Sequence, residues 1–166
     1  MSLADAPELD ARRILRELVA RGVDFVVIGG VASVLHGSAR ATFDLDICFA
    51  TDDANLGALG DVLMQLNARL RGVPDDVPFV PDAQTLRQVE VLRLRTDAGD
   101  LDVLARPSGA ERYATLRDHA DRMDVGGFAI LVASVNDLIA MKSAAGREKD
   151  LADIAELQAI LRQRGA

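Results

Sequence analysis

An apolar strand that runs straight into two glycines, followed a short helix later by two carboxylates at alternate positions of a second strand, constrains this chain more than any other feature. Residues 24 to 28, Asp-Phe-Val-Val-Ile, are apolar and β-branched enough for a buried strand, and Gly29-Gly30 follows directly. The segment Val31 to His36 predicts a short helix stopped at Gly37. Leu45, Ile47 and Phe49 then alternate with Asp44, Asp46 and Cys48, so one face of this strand enters a core and the other carries the acids. A strand rises about 3.3 Å per residue, which puts the two acids about 6 to 7 Å apart at their Cα atoms. Carboxylates so placed are suited to gripping one or two Mg2+ ions.

The remaining pattern predicts mixed helices and strands. Ile14, Leu15, Leu18 and Val19 recur at helical spacing within residues 8 to 21, ahead of Gly22. A helix is expected from Asp53 to Leu70, and Arg71 to Pro81, with Pro74, Pro78 and Pro81, reads as a loop that serves as a lid or as a connector. Thr85 to Thr96 alternates as a long strand, and Ala98-Gly99 turns it into an antiparallel partner over Asp100-Leu101-Asp102-Val103-Leu104. Tyr113 falls in a short helix after Pro107, and Met123 to Val132 suggests a hairpin or a strand around Gly126-Gly127. Ser134, with Asp137 three residues on, caps a helix, and a last helix runs from Lys149 to Arg162. The expected fold class is α+β, or mixed-sheet α/β, with a central mixed sheet flanked by helices.

Size and charge narrow the function. At 166 residues, one domain over 1–166 with a helical C-terminal part at about 134–164 is the simplest organisation. No apolar run approaches the roughly 20 residues that span a bilayer, and Met1 to Arg13 carries no apolar signal core, so the expectation is no membrane and no export. A single cysteine, Cys48, excludes an internal disulfide and points to a reducing compartment, the cytoplasm. The net charge of -7 argues against a broad grip on nucleic acid, although a small basic pocket suffices for one nucleotide or one RNA end.

Binding a nucleoside triphosphate for attack at phosphorus takes backbone donors, one or two cations and metal-binding acids. Gly29 and Gly30 lack side chains and let the backbone approach a phosphate at the start of the following helix. Asp44 and Asp46 would hold the metals, and Asp102, on a neighbouring strand, would add a third carboxylate that binds metal and orients or deprotonates an attacking hydroxyl. Arg40 and Thr42 are placed for β and γ phosphates, and Lys142 is a second cation.

The glycine pair followed by Asp44-Leu45-Asp46 and a later apolar-flanked acid resembles the nucleotidyltransferase superfamily related to DNA polymerase β. More narrowly, Gly29-Gly30-Val31-Ala32, the run Arg40-x-Thr42-x-Asp44-x-Asp46, and the stretches Leu138 to Lys142 and Arg147 to Asp153 are similar to small bacterial toxins of the AbiEii type and to minimal nucleotidyltransferases. The resemblance covers residues 23 to 50, 98 to 106 and 134 to 157, and 51 to 97 matches no named pattern. It implies a nucleotidyltransferase-like fold, Mg2+, a nucleoside triphosphate donor, and metal acids at Asp44, Asp46 and Asp102. The expected reaction moves a nucleoside monophosphate to an acceptor that is an RNA end, a protein or a small molecule. The alternative is a non-catalytic protein of the same fold that binds a partner in a toxin-antitoxin system. Self-association is compatible with either.

Plainer readings stand beside these. A Gly-Gly pair alone is usually a turn, and an Asp-x-Asp alone is often a solvated strand face. Asp100 competes with Asp102 for the third ligand position. Arg40 pairs equally well with a surface acid, and Lys142 equally well faces solvent. Asp150 and Asp153 read as partners of Arg147 and Lys149 across helix turns, and Cys48 reads as small packing. His36 and His119 are too few and too far apart for a zinc site or a Ser-His-Asp arrangement.

Overall fold

The computed structural model describes residues 6–74, 76–109 and 112–165. Residues 1–5, at the head of the stretch expected to lack a signal core, and Asp75 of the proline-rich loop lie outside them. Helix α1 (Ala11–Ala20) opens on the Asp10 carboxylate, which accepts a hydrogen bond from the Arg13 N–H at 3.1 Å, and buries Ile14, Leu15 and Leu18. Strand β1 (Phe25–Ile28) is buried throughout, and α2 (Gly29–Leu35) begins on the first glycine of the pair, two residues before the expected start. Strand β2 (Asp44–Phe49) follows, then α3 (Asp53–Gln65).

Buried Asn55 ties these parts together. Its Oδ1 accepts from the Asp24 N–H at 2.7 Å, and its Nδ2 donates to the carbonyls of Asp24 at 3.0 Å and Ala50 at 2.7 Å. One side-chain amide thus satisfies backbone groups at the start of β1 and just past the end of β2, groups that would otherwise be costly to bury.

Two expectations between residues 53 and 96 are corrected. The helix expected to run to Leu70 stops at Gln65, because Asn67 takes a left-handed conformation (φ 52°). The Asn67 Nδ2 donates to Asp97 Oδ2 at 2.6 Å and the Asp97 N–H donates to the Leu66 carbonyl at 2.9 Å, which fixes that turn. Arg69–Leu70 then forms a short edge strand, β3. The long strand expected over 85–96 is two elements, α4 (Ala83–Gln88) and β4 (Val91–Thr96). The Asp82 carboxylate accepts from the Thr85 N–H at 2.8 Å, so a helix cap prevails over a short alternating pattern.

Strand β5 (Gly99–Leu104), helix α5 (Tyr113–His119), the hairpin β6 (Asp121–Asp124) with β7 (Ala129–Val132), α6 (Val135–Ala145) and α7 (Asp150–Arg164) complete the order. Ser134 Oγ caps α6 by accepting from the Asp137 N–H at 3.1 Å, as its sequence predicts. The strands make one seven-stranded sheet in the order β3-β4-β5-β2-β1-β7-β6. It is mixed: β2 with β5 and β1 with β7 run parallel, and the other neighbours antiparallel.

Register separates the two faces. Leu45 lies opposite Leu101 and Ile47 opposite Val103, with Leu94 and Leu92 next across, and all six are buried in the main core. The other face sets Asp44 opposite Asp100 and Asp46 opposite Asp102, with Arg95 and Arg93 next across. Helix α2 packs on β1, β2 and α6, and α6 packs on α7, which brings the C-terminal helices beside the acidic end of β2.

Candidate active site

Asp44, Asp46 and Asp102 each offer a carboxylate oxygen within 4.8 Å of the others. Two come from β2 and one from β5, and parallel pairing of these strands sets Asp46 beside Asp102. Asp100 and Asp102 differ in their surroundings. Asp100 is turned to Arg95, whose Nε donates to its Oδ1 at 3.0 Å, and to Arg71 Nη1 at 3.2 Å from its Oδ2. Asp102 is the acid that gathers with Asp44 and Asp46.

Three carboxyls so close cannot all ionise cheaply in a half-buried place. Burial, then the charges of Asp44 and Asp102, push Asp46 up to about 8. Burial also raises Asp102, opposed chiefly by the Arg71 guanidinium. Such a cluster favours either a proton or a cation, and its all-oxygen donor set suits a hard divalent ion such as Mg2+. The residues therefore fit the metal that their pattern implies.

Arg71 was not foreseen as part of the site. Its Nη2 donates to Asp102 Oδ1 at 2.9 Å while Nη1 reaches Asp100, so one guanidinium spans both acids of β5. The signal was there in Arg69-Leu70-Arg71, whose alternation continues the edge strand, but the prolines that follow drew Arg71 into a loop.

Gly29 has φ +69°, and a Cβ added there would lie 2.1 Å from Asp46 Oδ2. Only a glycine lets this carboxylate lie against the start of α2. Gly30 is similarly crowded: a Cβ would meet Thr42 Oγ1 at 2.7 Å. The Thr42 hydroxyl donates to the Asp44 carbonyl at 3.1 Å and so braces the approach to β2. Gly30, Arg40, Thr42, Asp44 and Lys142 line a cavity of about 300 Å³, whereas Gly29 is not among its lining residues.

At the far wall of that cavity, α7 supplies acids. Arg40 Nη1 bonds Asp153 Oδ1, and Lys142 Nζ lies 3.0 Å from Asp153 Oδ2 and 3.9 Å from Asp150 Oδ1. Arg147 Nε donates to Asp150 Oδ2 at 2.8 Å, and these hydrogen bonds hold Asp150 below the usual carboxylate range. Asp150 thus pairs with Arg147 as its sequence suggests, but Asp153 pairs with Arg40 and Lys142, not with Lys149. Both cations line the cavity, and both are engaged by acids. Cys48 is buried and its thiol is pushed up to about 12 by that burial, in keeping with packing.

No helix among the described residues is long and apolar enough to cross a membrane. A family model described as "Nucleotidyl transferase AbiEii toxin, Type IV TA system" matches residues 13–163. Similar solved structures include the lincosamide antibiotic adenylyltransferase LnuA, bound to lincomycin, with TM-score 0.60 and 18% identity over 92% of this chain and 99% of that one. ANT(2")-Ia in complex with adenylyl-2"-tobramycin aligns with TM-score 0.57 and 17% identity over 93% and 96%. An antigenic nucleotidyltransferase-like protein from Paracoccidioides brasiliensis aligns with TM-score 0.55 and 18% identity over 94% and 78%. At these identities the likeness speaks for the fold. Comparison with curated proteins gives no sequence match.

Proposed function

The chain belongs to the nucleotidyl transferase AbiEii toxin family, a family of nucleotidyltransferase enzymes, and from that premise we propose that it moves a nucleoside monophosphate from a nucleoside triphosphate to a nucleophilic acceptor. The observation that carries the reading is the meeting of Asp46 and Asp102 with Asp44, which itself lines a cavity shared with Arg40, Thr42 and Lys142. Asp44, Asp46 and Asp102 would hold Mg2+, two ions in this reading, which when bound supplies charge neutralisation for the triphosphate. Gly30 admits Thr42 to the cavity wall, and Arg40, Thr42 and Lys142 face the β and γ phosphates. Gly29 serves the site through Asp46, whose carboxylate it admits.

Asp102 receives the proton of an acceptor hydroxyl at a carboxylate oxygen, while Arg71 fixes the orientation of that carboxyl. The acceptor oxygen bonds the α phosphorus, the bond from that phosphorus to the β-phosphate oxygen breaks, and pyrophosphate leaves. Positioning and charge stabilisation supply most of the acceleration in such in-line transfers. The adenylyltransferases of similar fold favour ATP as a donor to test first and a small molecule among the acceptors, beside RNA ends and proteins. The family description supports a toxin role with a cognate antitoxin.

The test incubates the protein with labelled ATP, CTP, GTP and UTP, Mg2+, and total cell RNA and protein, and identifies products by mass spectrometry. One triphosphate should label a discrete product, and Asp44→Asn and Asp46→Asn should abolish it while circular dichroism stays native. Unchanged turnover in Asp46→Asn removes the site assignment. No thermal stabilisation by any Mg2+-triphosphate shifts the protein to a partner-binding role.

A further inference from the structure

Ser33 sits in the middle of α2 and is only 7% exposed. Among the described residues its Oγ is buried without a hydrogen-bond partner. The same residue lines the cavity bounded by Gly30, Arg40, Thr42 and Lys142. Buried hydroxyls are nearly always paired, since water's hydrogen bonds are lost when they leave solvent, so an orphan at a cavity wall asks what fills it.

We propose that Ser33 is a ligand-binding residue whose hydroxyl donates to a non-bridging oxygen of the terminal phosphates of a bound nucleoside triphosphate. The assignment rests on the reading of this cavity as the triphosphate site and adds a residue to it. Three features select that ligand. The cavity wall offers Arg40, Lys142, Arg147 and Lys149 as donors, balanced by Asp44, Asp150, Asp153 and Glu156, which suits a phosphate chain that arrives with its own divalent cation. Asp44 belongs both to the carboxylate cluster and to the cavity wall that includes Ser33, so a chain of phosphates whose α group lies at the carboxylates would extend toward Ser33. A serine hydroxyl, being a neutral donor, adds a hydrogen bond there without adding charge to a pocket whose cations already have acids.

The hydroxyl should therefore have opposite effects in the free and bound protein. Unsatisfied, it weakens the free fold; satisfied, it strengthens the complex. Ser33→Ala removes one oxygen and keeps the packing. The free variant should melt at the same temperature as the unaltered protein or higher. By titration calorimetry its affinity for Mg2+-ATP and for Mg2+-tripolyphosphate should fall at least about tenfold, the lower end of what a hydrogen bond to a charged oxygen contributes, and its affinity for AMP should not change.

Equal tripolyphosphate affinity in both proteins overturns the Ser33 assignment and leaves the nucleotide site standing. A lower melting temperature of free Ser33→Ala also overturns it, because the hydroxyl would then already have a partner. If the unaltered protein itself fails to bind Mg2+-tripolyphosphate or Mg2+-ATP, the nucleotide reading falls first and takes this assignment with it.

Discussion

Protons and divalent ions compete for the same oxygens at Asp46, and the structure sets the size of that competition. Burial, the Asp44 charge and the Asp102 carboxyl place Asp46 at about 8, against 3.8 for an ordinary aspartate. Such a group is about ten-to-one protonated at pH 7, and an arriving ion must displace the proton. Apparent Mn2+ affinity should then rise about ninefold from pH 6 to 7, about fivefold from pH 7 to 8, and only about twofold from pH 8 to 9. Calorimetric titration at pH 7 in two buffers of different ionisation enthalpy should register about one proton released per ion. The free protein carries the opposite slope. Because the folded value lies above the unfolded one, the proton on Asp46 favours the folded state, fully below about pH 4, and that contribution is lost as pH rises through about 8. Asp46→Asn should flatten this part of the stability profile. Mn2+ affinity that stays level from pH 6 to 8, with no proton release, would refute the reasoning.

Arg71→Ala strips Asp102 and Asp100 of a shared guanidinium; discounted for partial exposure of the pairs, the loss in urea unfolding should be about 1 to 3 kcal/mol, and Mg2+ should restore more stability to the variant than it adds to the unaltered protein. A loss under about 0.5 kcal/mol would mean that solvent already screens these contacts. Gly29→Ala and Gly22→Ala form a matched pair, since both sites have positive φ but only Gly29 has a neighbour in the way. Gly22→Ala should cost about 1 to 2 kcal/mol and Gly29→Ala at least about 1 to 3 kcal/mol more, measured by the same unfolding; equal losses would show that the Asp46 carboxylate moves aside freely.

Where the sequence was legible, local pattern and burial agreed. Phe25 to Ile28 and Asp44 to Phe49 announced themselves because their apolar residues face a core, and the second strand's acids had no other face to occupy. Ser134 gave away α6 through its cap. Residues 66 to 70 and 83 to 90 differ from their local pattern because their outcome depends on distant partners and caps. Asn67 bends the chain with help from Asp97, and Arg69–Leu70 becomes a strand only by pairing with β4. The site was legible to the same degree. The carboxylates on β2 followed from alternation, but that Asp102 and not Asp100 gathers with them depends on where Arg95 reaches, and the acids of α7 behind Arg40 and Lys142 needed the packing of α6 on α7. Ser33 carried no pattern of its own; what distinguishes it is a buried hydroxyl without a partner among the described residues.

The pairing of β2 with β5 has a consequence for when the three acids come together. Aspartates from the two strands meet only after the intervening segment has been laid down and folded back, so a chain still emerging from the ribosome holds two acids but no complete cradle. Slipping that junction by a single residue would exchange the acids for leucines and turn charge into the core, an error too costly to persist. The carboxylate cradle therefore exists only once β5 has docked on β2, and an agent that held β5 away would take it apart without touching the cavity beside it.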